Sequence, residues 1–165
     1  IRPTKEDNVG VGNITTGFLL RDLGTGHLHN DNAGAKDSAS MEYGLRFYQG
    51  QQLIQSFYSD SAAELAKAAE NIGILCDGSP PYEPQSNGAI EVYVRITKYG
   101  AKSSLLGSGF GHKWFPRAVT YWVCVFNFFK PYRDGKTPYE LRFGEPSTGM
   151  QIPFGALCYF KPGGA

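Results

Sequence analysis

One segment constrains the fold more than any other: Ser79-Pro80-Pro81-Tyr82-Glu83-Pro84-Gln85-Ser86-Asn87-Gly88-Ala89-Ile90-Glu91. Proline fixes φ and lacks an amide hydrogen, so Pro80, Pro81 and Pro84 read as a loop, which the turn pair Asn87-Gly88 closes. That loop delivers a carboxylate, Glu91, onto the opening turns of a helix. Upstream, a hydrophobic segment ends in Tyr58-Ser59-Asp60 and reads as a strand that finishes on a second carboxylate. Two acids offered by a strand end and a neighbouring helix are the presentation a divalent-metal site requires.

Around this segment, strand and helix patterns alternate. Residues 13–23 are β-branched and apolar, Gly24-Thr25-Gly26 is a turn, and 27–30 begin a return strand, which predicts an antiparallel hairpin. Residues 38–48 carry Met41, Leu45 and Tyr48 at helical spacing, with Ser38 as N-cap. A strand is expected over 53–58, an alanine-rich helix over 61–72 ended by Gly73, and a strand over 74–76. A helix over 89–106 contains Gly100, which costs about 1 kcal/mol relative to alanine. Residues 114–129 are apolar nearly all round and predict a buried helix; 138–143 form a short helix and 157–160 a last strand. The fold class this implies is α/β, a mixed sheet flanked by helices.

Composition excludes several classes. With 165 residues, 41% apolar and 19% charged, the chain is one globular domain. The net charge of +1 rules out a polycation, so contact with nucleic acid must come from a local stripe of Lys and Arg. Cys76, Cys124 and Cys158 form no CxxC pair, which argues against a disulfide framework or zinc knuckle and implies a reducing, intracellular setting. No apolar run reaches a membrane span and no signal-peptide pattern is visible, so no membrane partner is expected. The chain begins on Ile1 inside polar sequence and reads as a piece of a longer polypeptide.

Asp60 and Glu91 lie 31 residues apart. Taken singly, Asp60 is a good N-cap for the alanine-rich helix and Glu91 an ordinary solvated residue favoured by the helix dipole. Taken together, across this loop, they form a candidate metal pair. Arg95, Lys98 and Lys102 follow Glu91 at +4, +7 and +11, one stripe of a helix. Either they are a solvated face with one Glu91–Arg95 ion pair, or they hold phosphates beside the metals. His27 and His29 share a strand face without a third ligand and are expected to face solvent. Gly10-Val11-Gly12 is a turn, lacking what a phosphate loop needs.

Several motifs occur together in order. Tyr58-Ser59-Asp60 with Glu64-Leu65, the loop Pro81-Tyr82-Glu83-Pro84-Gln85-Ser86-Asn87-Gly88, and Glu91 are followed by Trp114-Phe115-Pro116 with Ala118. Gly135-Lys136-Thr137-Pro138-Tyr139-Glu140, Phe143-Gly144 and Ile152-Pro153-Phe154-Gly155 complete the series. Over residues 17–162 the chain resembles the integrase catalytic core of copia-type retrotransposons, within the retroviral integrase and DDE transposase superfamily. The resemblance implies a ribonuclease-H-like fold and a core domain over 1–165, partial at its N-terminus, with 131–165 as a C-terminal extension. It implies two Mg²⁺ or Mn²⁺ ions, bridged by Asp60 and held by Glu91, that trim DNA ends and then join them to a target.

The resemblance further implies that Gln85 and Asn87, on a flexible loop, contact the DNA end. Element ends and target DNA become the partners, the intact protein a homo-oligomer, and the nucleus its place of action. The chain departs from the family pattern at Val92, where arginine is frequent, and at Ser61, where asparagine or glycine is usual. The first catalytic aspartate has no convincing counterpart: Asp7 lies in a polar turn and Asp22 on the second strand, so it is expected upstream of Ile1. By that reading the fragment alone is inactive. The competing readings are a nuclease of the same fold and a non-catalytic ribonuclease-H-like remnant that binds nucleic acid or nothing.

Overall fold

The structure, a computed structural model, describes residues 9–50, 53–59, 62–78 and 84–159. Strands β1 (Thr16–Arg21) and β2 (Leu28–Ala33) form an antiparallel ladder in which Arg21 faces Leu28 and Thr16 faces Ala33. Asp22 shapes the hairpin turn, its carboxylate accepting the Gly24 amide and the Thr25 hydroxyl at 2.8 Å each. Helix α1 (Ser38–Gln49) follows, capped by Asp37 and not by Ser38 as the sequence predicted. The Ser40 amide donates to Asp37 at 2.8 Å, and Asp37, with extended backbone at φ −128°, is the residue in cap geometry while Ser38 is already in the helix. Strand β3 (Phe57–Ser59), helix α2 (Ala63–Asn71) and strand β4 (Cys76–Gly78) form a βαβ unit with β3 and β4 parallel.

Strands carry side chains alternately on opposite faces, and both faces of the hairpin are covered. Leu20, with Phe18, packs on Met41, Leu45 and Ala68, beneath α1 and α2. Phe57 of β3 joins the same cluster, so both ladders share one helical cover. Leu19 and Leu28 face the other way, onto Val123 and Phe126 of α4 (Phe115–Phe129) and onto Ile90, Tyr93 and Val94 of α3 (Pro84–Ser108). Helices thus flank strands on both sides, the layering the sequence predicted. Leu28 and Leu45 are fully buried, which stabilises the fold by about 1.5–3 kcal/mol each.

Helix α3 starts earlier than its loop-like sequence predicted. Pro84 begins the helix, so Gln85, Asn87 and Gly88 have helical backbone and do not close a loop. Proline's fixed φ suits a first helical turn, where its missing amide is not needed. Gly100 is explained by packing: a Cβ there would collide with the indole of Trp122 on α4. Ala101, Leu105, Ala118 and Val119 continue this close seam.

Helix α5 (Pro138–Phe143) matches its predicted bounds. Thr137 and Glu140 form a reciprocal capping box, and Gly144 ends the helix at φ 82°. Two expectations fail towards the C-terminus. Helix α4 is not buried all round, since Cys124 and Phe129 are exposed, and Trp114 lies in a preceding 3-10 turn. Residues 157–159 are exposed and in no strand, and residue 160 of the predicted last strand lies outside the described residues. Among the described residues no helix is long and apolar enough to cross a membrane.

Candidate active site and nucleic-acid face

Helix α3 sets the site by what it buries. Ile90, Tyr93 and Val94 pack inward, and Thr97, Gly100 and Ala101 are buried further along. The opposite side therefore points outward: Glu91, Arg95 and Lys102 are exposed, and Lys98 is half-buried. The four share one stripe, as their spacing predicted. Among the described residues no ion pair joins Glu91 to Arg95. Eight positions into α3, Glu91 lies beyond the first turn, where the helix dipole acts most strongly, so the predicted dipole benefit is small. Gln85 and Asn87 sit on the helix's first turn and not on a loop, which corrects their expected setting.

Strand β3 ends at Ser59, buried beside Cys76 with Oγ 3.7 Å from Sγ. The next residue, Asp60, lies outside the described residues, as do Asp7, Ser61 and residues 79–83. Helix α2 has Ala62 at its N-cap position; the alternative role of Asp60 as a cap lies outside the described residues. Among the described residues no group of three or more His, Cys, Asp or Glu could hold a metal ion. Of the two ligands the sequence predicted, only Glu91 lies among the described residues, with an exposed carboxylate, a hard oxygen donor of the type Mg²⁺ and Mn²⁺ prefer.

Sequence reasoning missed a polar cluster on the far face of the hairpin. His27 and His29 do not face solvent. His29 stacks on Phe47 at 5.7 Å and lies 5.2 Å from the Tyr48 ring, while His27 meets Phe143 edge-on at 5.8 Å. Arg142 of α5 donates to the Tyr48 hydroxyl and to its carbonyl, 2.9 Å each, and pairs with Asp22 at 3.5 Å. Burial first, then the Arg142 charge, depresses His27 to about 4. Burial raises Tyr48 to about 12, with Asp22 adding to the rise. For Asp22, burial favours the neutral acid, but hydrogen bonds from Thr25 and Gly24 outweigh it and lower the pKa. Asp22 is thus committed to its turn and to Arg142, and lies in the hairpin turn after β1 and not on a strand as the sequence suggested. No periodicity marks this cluster, because its members lie on four separate elements.

A second missed feature was legible. Between Glu91 and Asp134 the sequence has no Asp or Glu, although seven of its sixteen Lys and Arg lie there. Helices α3 and α4, which pack on each other, occupy most of that stretch. One layer of the domain is therefore cationic within a nearly neutral chain.

This arrangement of a hairpin, a βαβ unit and long covering helices defines an α/β, ribonuclease-H-like fold of the kind seen in integrase catalytic cores. The chain is similar to the catalytic core domain of BIV integrase, with a TM-score of 0.58 at 18% identity over 76% of this chain and 83% of that one. It is also similar to a chain of the simian T-cell lymphotropic virus intasome solved in complex with PP2A regulatory subunit B56 gamma. There the TM-score is 0.64 at 16% identity, over 88% of this chain and 52% of that one. No family model matches the sequence, and no curated protein matches it.

Proposed function

We propose that this domain is a retrotransposon integrase core of copia type, acting on DNA by metal-dependent polynucleotidyl transfer in the nucleus of the cell that hosts it. The observation that supports this most is the outward stripe of α3, which sets an exposed carboxylate at the head of Arg95, Lys98 and Lys102 in a fold shared with integrase cores. In this reading Asp60 and Glu91 hold Mg²⁺ or Mn²⁺, and the metals supply activation of water or of a 3′-hydroxyl. Glu91 offers one or two oxygens to a metal without competing for Arg95. The cations downstream of it bind phosphates and align the DNA backbone along α3. Gln85 and Asn87, nearly two turns and about one turn ahead of Glu91 on α3, are the candidates in this reading for contacting the DNA end. The working unit is a homo-oligomer that brings two element ends to one target.

The test is end trimming and strand transfer with Mg²⁺ or Mn²⁺ in a chain extended upstream to include the first aspartate, comparing it with its Asp60→Asn and Glu91→Gln variants. Loss of both reactions in each variant, with duplex binding retained, supports the reading. Activity unaffected by either substitution would remove Asp60 and Glu91 from the chemistry. The acid-free stretch after Glu91 also favours a second reading, a non-catalytic module that binds nucleic acid. Salt-sensitive DNA binding with no metal-dependent turnover in a chain extended upstream distinguishes it.

A further inference from the structure

We propose that Phe110 and Trp114, at the turn joining α3 to α4, form a shelf on which an unpaired base of single-stranded DNA stacks. The two rings are near parallel, 23° apart with centroids at 5.0 Å, and yet 42% and 38% of these residues remain exposed. Large aromatic side chains usually lose more of their surface when they serve only the core. Here each ring covers one face of the other and leaves area open to a further planar partner.

The shelf is held in place from several sides. Phe154 meets Phe110 edge-on at 6.1 Å. Gly155 passes close at φ 79°, where a Cβ would lie 2.8 Å from the Phe110 ring. The Val11 amide donates to the Lys113 carbonyl at 2.9 Å and pins the turn that carries Trp114. A platform fixed before binding loses little conformational entropy when a base arrives.

Charge complementarity selects the occupant. Lys113 immediately precedes Trp114 and Arg117 follows it by three residues; both are exposed, and the acid-free stretch leaves no carboxylate of α3 or α4 after Glu91 to neutralise them. Aromatic faces beside cations are the combination that holds single strands, with bases on the rings and phosphates on the cations. A purely apolar protein partner would not need the cations, and duplex DNA, with its bases stacked internally, would not use the rings. The choice of DNA as the polyanion rests on the function proposed above; the shelf itself requires neither Asp60 nor Glu91.

The experiment is binding of a labelled oligo(dT) to the full 165-residue chain in EDTA, read by anisotropy and by tryptophan emission. Phe110→Ala and Trp114→Ala should each weaken binding roughly 5- to 100-fold, the range for loss of one stacked base. Both should leave blunt-duplex affinity unchanged. Trp114→Phe should keep the affinity and lose the emission quench, which a merely structural role would not produce. Replacing Lys113 and Arg117 by Ala should lower the salt slope by roughly 0.7 per cation. Wild-type oligo(dT) affinity in both alanine variants, or no quench at saturation, overturns the shelf. So does self-association that Phe110→Ala abolishes while oligo(dT) binding persists, because the rings are then a contact between copies. The EDTA and single-strand arms keep this outcome separate from failure of metal-dependent joining, which tests Asp60 and Glu91.

Discussion

Arg142 grips Tyr48 twice, donating 2.9 Å hydrogen bonds to its hydroxyl and to its backbone carbonyl across 94 residues of sequence. Its guanidinium also lies over the Tyr48 ring, 4.3 Å from the centroid, and pairs with Asp22. One side chain thus ties α5 to the end of α1 and to the hairpin turn. With only 10% of that side chain exposed, Arg142→Met should destabilise the domain by about 2–4 kcal/mol. Tyr48→Phe, which removes one hydrogen bond, should cost about 1 kcal/mol. Urea unfolding with an unchanged m-value measures both.

Stability should fall as pH drops from about 6.5 to about 4. The folded pKa of His27 is about 4, below the ordinary 6.5, so the unfolded chain takes up a proton first. The contribution is fully present above pH 6.5 and is lost as pH falls through the folded value. His29 is shifted in the same direction, again chiefly by burial. Around them Arg142 opposes protonation, whereas Asp22 near His27 and Asp31 near His29 favour it. Thermal melting from pH 7 to 4 should show a shallower decline in His27→Gln than in wild type; an identical decline would exclude His27 as a source.

Two glycines of α3 should respond oppositely to alanine. At Gly100 the added methyl meets Trp122, and the overpacking cost of about 1–3 kcal/mol exceeds the helix-propensity gain of about 1 kcal/mol. At Gly107 nothing lies within 4 Å, so alanine should stabilise by about 0.5–1 kcal/mol. Denaturation midpoints of the two variants should move in opposite directions.

Asn127 should be intolerant of truncation. Its amide accepts from the Leu28 N–H at 2.9 Å and donates to the Leu28 carbonyl at 2.7 Å, in a buried site. Asn127→Ala strands both backbone groups and should cost about 2–4 kcal/mol in chemical unfolding. Retention of full stability would mean that water replaces the amide.

If the proposed metal chemistry holds, the Asp60 and Glu91 carboxylates approach within about 4 to 8 Å when metals bind, given ions about 3.5 to 4 Å apart. A metal-soaked crystal with the two on opposite faces excludes the pairing. Replacing Arg95, Lys98 and Lys102 by neutral residues should weaken duplex binding across sequences and flatten its salt dependence by roughly one unit of slope each. An unchanged slope would make the stripe a solvated face.

Local signals determined much of this protein by themselves. The β-branched run and its glycine turn fixed the hairpin, and Thr137-Pro138 through Gly144 fixed α5, because caps and turns need only neighbouring residues. The spacing of Glu91, Arg95, Lys98 and Lys102 was enough to place them on one stripe, since helical phase is a local property. Tertiary structure decided which side of that stripe faced outward, through the burial of Ile90, Tyr93 and Val94. It also decided that Gly100 is a packing contact, and that His27 and His29 lie under α1 and α5 and not in water. Those outcomes depend on partners that are distant along the chain, as Trp122 is from Gly100 and Arg142 from Tyr48. Only the closing of the core brings such pairs together.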